Sequence, residues 1–526
     1  MQNADQDPTT ARRIWWQTVL AVWVACLAYS FWCAPIPGTN EPHYLCKAKH
    51  YWNSDWCQRD GFLTSSNPHL VFYVTLGWLT RFLSLEAVAV MGRLTGYLAL
   101  AVGWTQFSEA LGLTRRGTFA AAVLVLFWAS WLSLSGEWLV GGIESKTYAF
   151  AGVFAGIATA MQQRWRMTGL LFGVAVAFHP LVGLWSVIAA VMAAVAAWIS
   201  RVIEVRSTLR QARFWSGCVV FAVVAAAGIV PALAVVGSDG GAAAKQQAFA
   251  ANYIQVFYRL SHHLDPMQFP TTSYVLYLGL LVLACGLSMR LVPSRSLSWF
   301  RGFVLSAAVI AACGWVAGYG PRPVRTSIPL FELRMLVLKF YPFRLVDAFL
   351  PIFLSVVVVL WLSDQARWVP QARWVRWSPS LLVGLFIAAL VLGRGNGSAR
   401  YLPDDREQEW LAVCEWVEAQ TPQDSLFVTP NESWGFKWFA QRAEYVAFKD
   451  CPQDAASLVE WNSRLRWLGN WAAGGFEDQV YSPEDIARLV QKTGATHFIA
   501  RKPSQLAAPI EFENRAYAVY TLRAGN

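Results

Sequence analysis

Residues 12–33 read RRIWWQTVLAVWVACLAYSFWC: two arginines, then an apolar run from Ile14 to Cys33 that carries no charge. A helix needs roughly 20 such residues to cross the hydrocarbon of a bilayer. The run is long for a signal peptide and lacks a small-x-small cleavage site, so it reads as an uncleaved anchor. Similar runs recur along the chain. Of 526 residues, 56% are hydrophobic and 14% are charged, which selects a polytopic α-helical membrane protein over a soluble one. Trp (28) and Phe (31) are abundant, as interfacial belts and lipid-facing surfaces require.

Eleven spans are expected, near 14–34, 86–112, 117–135, 146–163, 167–181, 182–200, 214–236, 273–291, 300–318, 345–363 and 379–394. Short loops on one side carry Arg12 and Arg13; Arg115 and Arg116; Arg164 and Arg166; Arg201, Arg206, Arg210 and Arg213; Arg290, Arg295 and Arg301; and Arg367, Arg373 and Arg376. By the positive-inside rule that side is cytoplasmic and holds the N-terminus, and an odd number of spans leaves the C-terminal region outside. The net charge of +10 is thus sorted by membrane side, which argues against nucleic acid as a partner. One stretch would invert this arrangement if it spanned: residues 69–85, HLVFYVTLGWLTRFLSL. It is short, Arg81 interrupts it, and it fits an amphipathic helix lying on the outer surface.

Two regions follow. Residues 1–395 form the membrane module, with an outer loop at 35–85. Residues 396–526 are mixed and polar, with helix-like runs at 406–420, 453–467 and 483–493 and strand-like runs at 425–429, 444–448, 496–500 and 516–522. This pattern reads as a small extracytoplasmic α/β domain, a sheet with flanking helices. Cys46 and Cys57 share the outer loop, and Cys414 and Cys451 share the outer domain. Each pair either bridges in an oxidising compartment or stays as buried thiols. No CxxC or HxxxH spacing supports a structural zinc site, and no cofactor is called for.

In this topology the chemistry faces outward. All seven histidines (His43, His50, His69, His179, His262, His263 and His497) and all nine lysines fall outside or at the outer lip. Residues 38–57, GTNEPHYLCKAKHYWNSDWC, crowd acids, histidines, lysines and aromatics just after the first span. Four further clusters join them: GGIESKTY with Glu144 and Lys146; His179 at the end of the fifth span; Lys245, Arg259, His262, His263 and Asp265 in 237–272; and 319–344 with Arg322, Arg325, Arg334, Lys339 and Arg344 against Glu332 alone. Cations on the side that should lack them are explained by a bound anion such as a lipid phosphate, which arginine matches with a planar fork of donors. The plainer alternative is an interfacial helix whose cations snorkel to headgroups. The same choice arises elsewhere. Glu41, before Pro42, is either a catalytic acid or a favourable charge at a helix N-terminus. Glu144 is an acid at a membrane lip or a simple partner for Lys146. His179 is a site residue or the capped helix end before Pro180. His262 and His263 are phosphate ligands or ordinary loop histidines. Arg93, two turns into the second span, reads as snorkelling outward.

With these residues in place, the chain resembles the GT-C superfamily of membrane glycosyltransferases, which includes protein O-mannosyltransferases and aminoarabinose transferases of lipid A. Such proteins have a first span, a large outer loop opening on an Asp-Glu type motif with a following Tyr, a surface helix and an Arg-bearing second span. Here Asn40-Glu41 and Tyr44 stand at the motif, His69–Leu85 at the surface helix, and Gly92-Arg93-Leu94 at the start of the second span. Glu144 takes the place of a second acid at the outer end of the third span. One departure stands out: Asn40 replaces the Asp of many members.

The resemblance implies transfer of a sugar from a polyprenyl-phosphate carrier to an acceptor hydroxyl on the outer face, with inversion. It implies Glu41 as the base, Asp60 and Glu144 as orienting acids, and Lys146, His262, His263, Arg322, Arg325 and Arg344 as ligands of the donor phosphate. Such enzymes need no metal, though some relatives use a divalent one. The acceptor, whether glycan, lipid or protein, stays open. Two other classes compete. A transporter or flippase predicts ionisable groups deep in several spans and an internal repeat; the charges here lie mainly at the lip and no repeat is evident. A non-catalytic envelope scaffold is compatible with Asn40.

Overall fold

In a computed structural model of the chain, the described residues are 8–200, 205–236, 241–368, 373–395, 397, 402, 404–430, 433–474 and 480–522. Arg201 and the expected boundary at 396 lie outside them, as do the side chains of Arg206, Arg367, Arg373 and Arg376. The helices are α1 (Pro8–Cys33), α2 (Glu41–Trp52), α3 (Leu70–Val74), α4 (Leu85–Ala110), α5 (Arg115–Ala129), α6 (Ser145–Met161), α7 (Trp165–Phe178), α8 (Pro180–Ile199), α9 (Val205–Leu209), α10 (Ala212–Val236), α11 (Ala242–Tyr253), α12 (Ser261–Leu264), α13 (Thr271–Met289), α14 (Arg295–Gly318), α15 (Phe331–Lys339), α16 (Arg344–Trp368), α17 (Arg373–Gly393), α18 (Asp404–Gln420), α19 (Phe436–Ala440), α20 (Ala455–Gly474) and α21 (Pro483–Thr493).

A helix lies at every expected span. Among the described residues, seven are long and apolar enough to cross a membrane: α1, α4, α8, α10, α13, α14 and α16. The chain is an integral membrane protein on that ground. The other expected positions are filled by α5, α6, α7 and α17. The chain divides into two compact units: residues 1–33, 92–232 and 255–396, and residues 34–91, 233–254 and 397–526.

In the first unit α16 is the central helix, with 78% of its apolar window buried inside the protein. It packs on α5, α13 and α14. Interlocked phenyl rings form the core, with Phe107 4.9 Å from Phe300 and Phe303 4.9 Å from Phe349. Such rings supply large apolar area in edge-to-face geometry.

In the second unit the sheet order is β2-β1-β4-β7-β6, from β1 (Leu426–Val428), β2 (Ala443–Glu444), β4 (His497–Arg501), β6 (Ile510–Glu513) and β7 (Tyr517–Thr521), with β3 (Val480–Tyr481) and β5 (Gln505–Leu506) as a separate pair. β2, β1 and β4 run parallel, β7 runs antiparallel to β4, and β6 pairs antiparallel to β7. Trp410 and Val413 of α18 pack with Phe427, Phe436, Tyr517 and Val519 to make its core. A capping box at Ser482 and a left-handed Gly494 (φ 65°) delimit α21.

Two expectations change, and one open choice is decided. The surface helix of 69–85 is broken into α3 and a 3₁₀ turn, Leu76–Arg81. Thr75 adopts φ −97°, ψ −93° at the break, and its hydroxyl donates back to Val71 O at 2.6 Å, the competition that Thr offers to a helix ladder. The strand of 444–448 keeps only its start, because after Tyr445 N donates to Phe427 O the chain leaves the ladder. All nine cysteines are thiols, so neither Cys46–Cys57 nor Cys414–Cys451 is a disulfide.

Candidate active site and the charge networks of each unit

The loop from α5 to α6 is organised by one acid. Asp347, in the first turn of α16, accepts from Leu134 N (2.8 Å), Ser135 N (2.8 Å), Ser135 Oγ (3.1 Å) and Glu137 N (2.9 Å), and from Tyr277 OH. Five donors on one buried carboxylate fix the loop and supply the hydrogen bonds that the buried charge requires. At the turn, Gly136 has φ 79°, and a Cβ there would stand 2.5 Å from His263 Cε1. His263 in turn places Nδ1 on Ser135 O.

This loop delivers Glu137 into a cluster of cations. Glu137 lies 3.0 Å from Lys146 Nζ and 2.6 Å from Arg344 Nε, with its side chain 3% exposed. Lys146, at the start of α6, also lies 3.7 Å from Glu144 and 3.9 Å from the centre of the Trp138 ring. Arg344 opens α16, covers the Tyr341 ring at 4.2 Å and comes 3.1 Å from His179 Nε2. His179 caps α8, its Nδ1 accepting from Val182 N at 3.3 Å. The two short Glu137 contacts are ion pairs whose angles miss hydrogen-bond geometry, and Glu137 Oε1 has no hydrogen-bond partner among the described residues. Burial, together with the charges of His262, Arg344 and Lys146, holds the His263 imidazole well below the usual histidine range.

The helix ends that converge here belong to α5, α6, α7, α8 and α16, opposite the ends that carry the arginine-rich loops. Of the expected site residues, Glu144, Lys146, His179, His263 and Arg344 come together. Glu137, Asp347 and Tyr277 complete the cluster and were not anticipated. Two signals were present: Glu137 is the other acid between the third and fourth spans, and Asp347 is an acid inside an apolar span, a pattern that marks functional sites in membranes.

Other expected residues of this unit lie elsewhere. The Arg322 guanidinium grips Asp265, with Nε 2.7 Å from Oδ2, and also donates to Gly318 O, Gly320 O and Pro321 O. Arg325 is exposed. His262 is exposed and tilts on His263 at 4.0 Å. Arg93 does not snorkel. It is wholly buried and donates to Ser30 O and Ser30 Oγ, each at 3.3 Å. Ser30 and Tyr97 then hold Gly141 O at 2.5 and 2.6 Å, which leaves no reason for Arg93 to reach the surface.

The second unit has its own network. Glu41 opens α2, is wholly buried and accepts from Gly38 N at 2.6 Å. Its neighbour Asn40 occupies the N-cap without a side-chain cap bond. Tyr44 OH lies 3.4 Å from His69 Nε2. Asp60 sits in a different group, centred on the ammonium of Lys437, which lies 3.2 Å from Asp60, 3.1 Å from Glu444 and 2.6 Å from Asp450. Asp450 also meets His43 Nδ1 at 3.1 Å. Lys437 holds the Asp450 carboxyl far below the usual range against the opposing effect of burial, and the three acids raise Lys437 well above its ordinary value. Burial lowers His43. Lys47, whose ammonium donates to Phe62 O (2.6 Å), Ser65 O (3.1 Å) and Ser65 Oγ (2.8 Å), is pushed down to about 8 by burial. A cavity of about 190 Å³ adjoins this network, between Asp60, Lys437, Glu444, Asp450, Trp461 and Arg464. Among the described residues no three of His, Cys, Asp and Glu converge as metal ligands.

The fold and its charges therefore define an integral membrane protein with a buried cation–carboxylate cluster at one end of its apolar helices. Residues 408–468 match a domain of unknown function, DUF6798. Among curated proteins, none matches the sequence. The structure is similar to archaeal oligosaccharyltransferase AglB from Archaeoglobus fulgidus, solved with an inhibitory peptide and a dolichol-phosphate, with 12% identity and a TM-score of 0.41 over 93% of this chain and 70% of that one. The apo form of the Archaeoglobus fulgidus oligosaccharyltransferase is similar over 92% and 69%, with 11% identity and a TM-score of 0.41. At that level of similarity neither match assigns a function to this chain.

Proposed function

We propose that this chain is a membrane glycosyltransferase that moves a sugar from a polyprenyl-phosphate donor to an acceptor hydroxyl, with inversion at the anomeric carbon. The observation that carries the reading is the pairing of Lys146 and Arg344, both largely buried, on the carboxylate of Glu137, with Glu144 3.7 Å from Lys146. Two desolvated cations held by a shared acid, beside apolar helices, suit a lipid-linked phosphate better than they suit plain stability. Replacing one acid by a phosphate oxygen keeps both cations neutralised, and the Arg344 fork matches phosphate geometry. In the reaction the acceptor oxygen bonds to the anomeric carbon as the bond to the phosphate oxygen breaks. The acceptor proton goes to a carboxylate, and the electron pair leaves with the polyprenyl phosphate. Fixed cations stabilise the charge that this phosphate gains. Glu41 is the base that the family resemblance implies, and its bond from Gly38 N holds it in position.

A second reading, a non-catalytic scaffold, is favoured by Asn40 alone. The deciding assay supplies membranes containing the chain with labelled polyprenyl-phosphate sugars and follows label into lipid, glycan and protein. Transfer by the parent is expected to drop at least about a hundredfold in Arg344→Gln and to vanish in Glu41→Gln. Normal transfer by Glu41→Gln removes it as the base. No transfer by the parent with any donor favours the scaffold.

A further inference from the structure

A large apolar cavity lies at the other ends of these helices. It measures about 610 Å³, between the starts of α7, α10 and α14 and the end of α8. Phe172 and Phe221 line its interior, and Trp165, Trp198 and Trp299 stand around it. One wall is closed by direct backbone packing. A Cβ on Gly169 would stand 2.0 Å from Gly217 O, and one on Gly217 would stand 2.3 Å from Trp165 O. No side chain can fill that seam, so the volume left between α7 and α10 on one side and α8 and α14 on the other is fixed by glycine contacts. Val191, Val195 and Trp198, at 57%, 45% and 51% exposure, face out of the protein. The cavity is thus a groove that opens laterally on an apolar surface. Its volume falls in the roughly 300–1,000 Å³ range of formed ligand sites.

The charges at its mouth name the occupant. Arg295 belongs to the lining, is exposed, and makes no hydrogen bond or ion pair among the described residues. Arg164 and Arg166 flank Trp165 and are exposed, and Arg213 precedes Phe214 of the lining. Arg166 Nε donates to Ser216 Oγ at 2.9 Å, which anchors its guanidinium beside the groove. The segments that meet here, 161–168, 205–214 and 290–301, contain no Asp or Glu. A hydrocarbon slot ringed by tryptophan and capped by arginines that have no acidic partner among the described residues complements one chemistry, an acyl chain under an anionic headgroup.

We propose that this groove is a binding site for an anionic diacyl phospholipid of the leaflet on the arginine-rich side. The site is independent of the glycosyl-transfer reading and lies at the opposite ends of the helices from Lys146 and Arg344. That separation favours a membrane phospholipid over a polyprenyl-phosphate donor as the occupant.

The test uses the full chain, purified in mild detergent, exposed to equal amounts of phosphatidylglycerol and phosphatidylcholine, and weighed intact by native mass spectrometry. One phosphatidylglycerol is expected to be retained in preference to phosphatidylcholine. Arg295→Gln and Arg166→Gln should each weaken that retention roughly fivefold while leaving phosphatidylcholine unchanged. Ala194→Trp, which fills the groove, should abolish retention of either lipid, and Ala190→Trp provides an independent filling variant should the first fail to fold. Equal retention of both lipids, an unchanged preference in both arginine variants, or displacement of phosphatidylglycerol from the groove by polyprenyl phosphate would each overturn the proposal.

Discussion

Asp347 shows how much one side chain can organise. It stands in an apolar helix, yet its five donors come from Leu134, Ser135, Glu137 and Tyr277. Asp347→Ala leaves several buried donors unsatisfied, each costing about 1–3 kcal/mol. The variant should therefore lose at least about 3 kcal/mol, with Asp347→Asn losing less, read as a lowered midpoint of thermal unfolding in detergent. Gly136 is constrained in a different way. Its positive φ and the 2.5 Å approach to His263 Cε1 both oppose a side chain. Gly136→Ala should cost more than about 1 kcal/mol, because strain at a left-handed residue adds to the clash. The same thermal measurement checks it, and a midpoint equal to the parent would show that the loop relaxes freely. Neither residue stood out in the sequence as a site residue. What could be seen was an acid in an apolar run and a glycine in a loop; the bonds that give them meaning cross up to 213 residues of chain.

At the scale of elements, a short helix of the second unit is positioned by charge as well as by apolar area. α19 is only Phe436–Ala440, yet its Lys437 binds Asp60, Glu444 and Asp450 at once. It thereby joins the loop after α2 to β2 and the turn beyond it. Lys437→Met removes the shared cation and strands three buried carboxylates, a loss of about 3–5 kcal/mol by the behaviour of broken buried pairs. Pairing it with Glu444→Gln should recover part of that loss, since one stranded charge is then neutral. Limited proteolysis of the second unit, followed over temperature, distinguishes the two variants. This network was illegible beforehand because Lys437 lies in a segment without periodicity and its partners lie in three separate stretches. The broken surface helix at 69–85 has a local cause instead: apolar composition indicated a helix there, and the Thr75 hydroxyl supplied the interruption.

For the whole molecule, acid should loosen both units, because His43 in the second and His263 in the first are each held below the usual histidine range. Folded His43 has a lowered affinity for protons, whereas the unfolded residue takes one up below about pH 6.5. Unfolding then binds a proton, so stability falls as pH drops through that value. Asp450, depressed in the folded state, adds a second loss only below its unfolded value of roughly 3.9. His43→Gln should make the first decline shallower, with the His263 share remaining, and leave the second, in unfolding midpoints measured from pH 7.5 to 3. A midpoint that rises on acidification from pH 7 to 5 would contradict this assignment. Topology is tested at the same scale. Reporters placed after Arg116 and after Asp60 should read cytoplasmic and outside respectively, as the distribution of arginines requires. If both read the same side, the expected arrangement of loops fails.

The sequence by itself determined the class of protein and the position of its helices. Both follow from local quantities, the length of apolar runs and the turns between them, which survive without knowledge of neighbours. It also indicated that Glu144, Lys146, His179, His263 and Arg344 carry more chemistry than loops need. Only the tertiary structure decided which charges meet. Arg322 is engaged by Asp265, while Arg344 and Lys146 share Glu137. Arg93 is buried on Ser30 instead of reaching outward. The reason is physical: ion pairs and buried hydrogen bonds act over a few ångströms in space, and residues far apart in the chain reach that range only after the helices have packed.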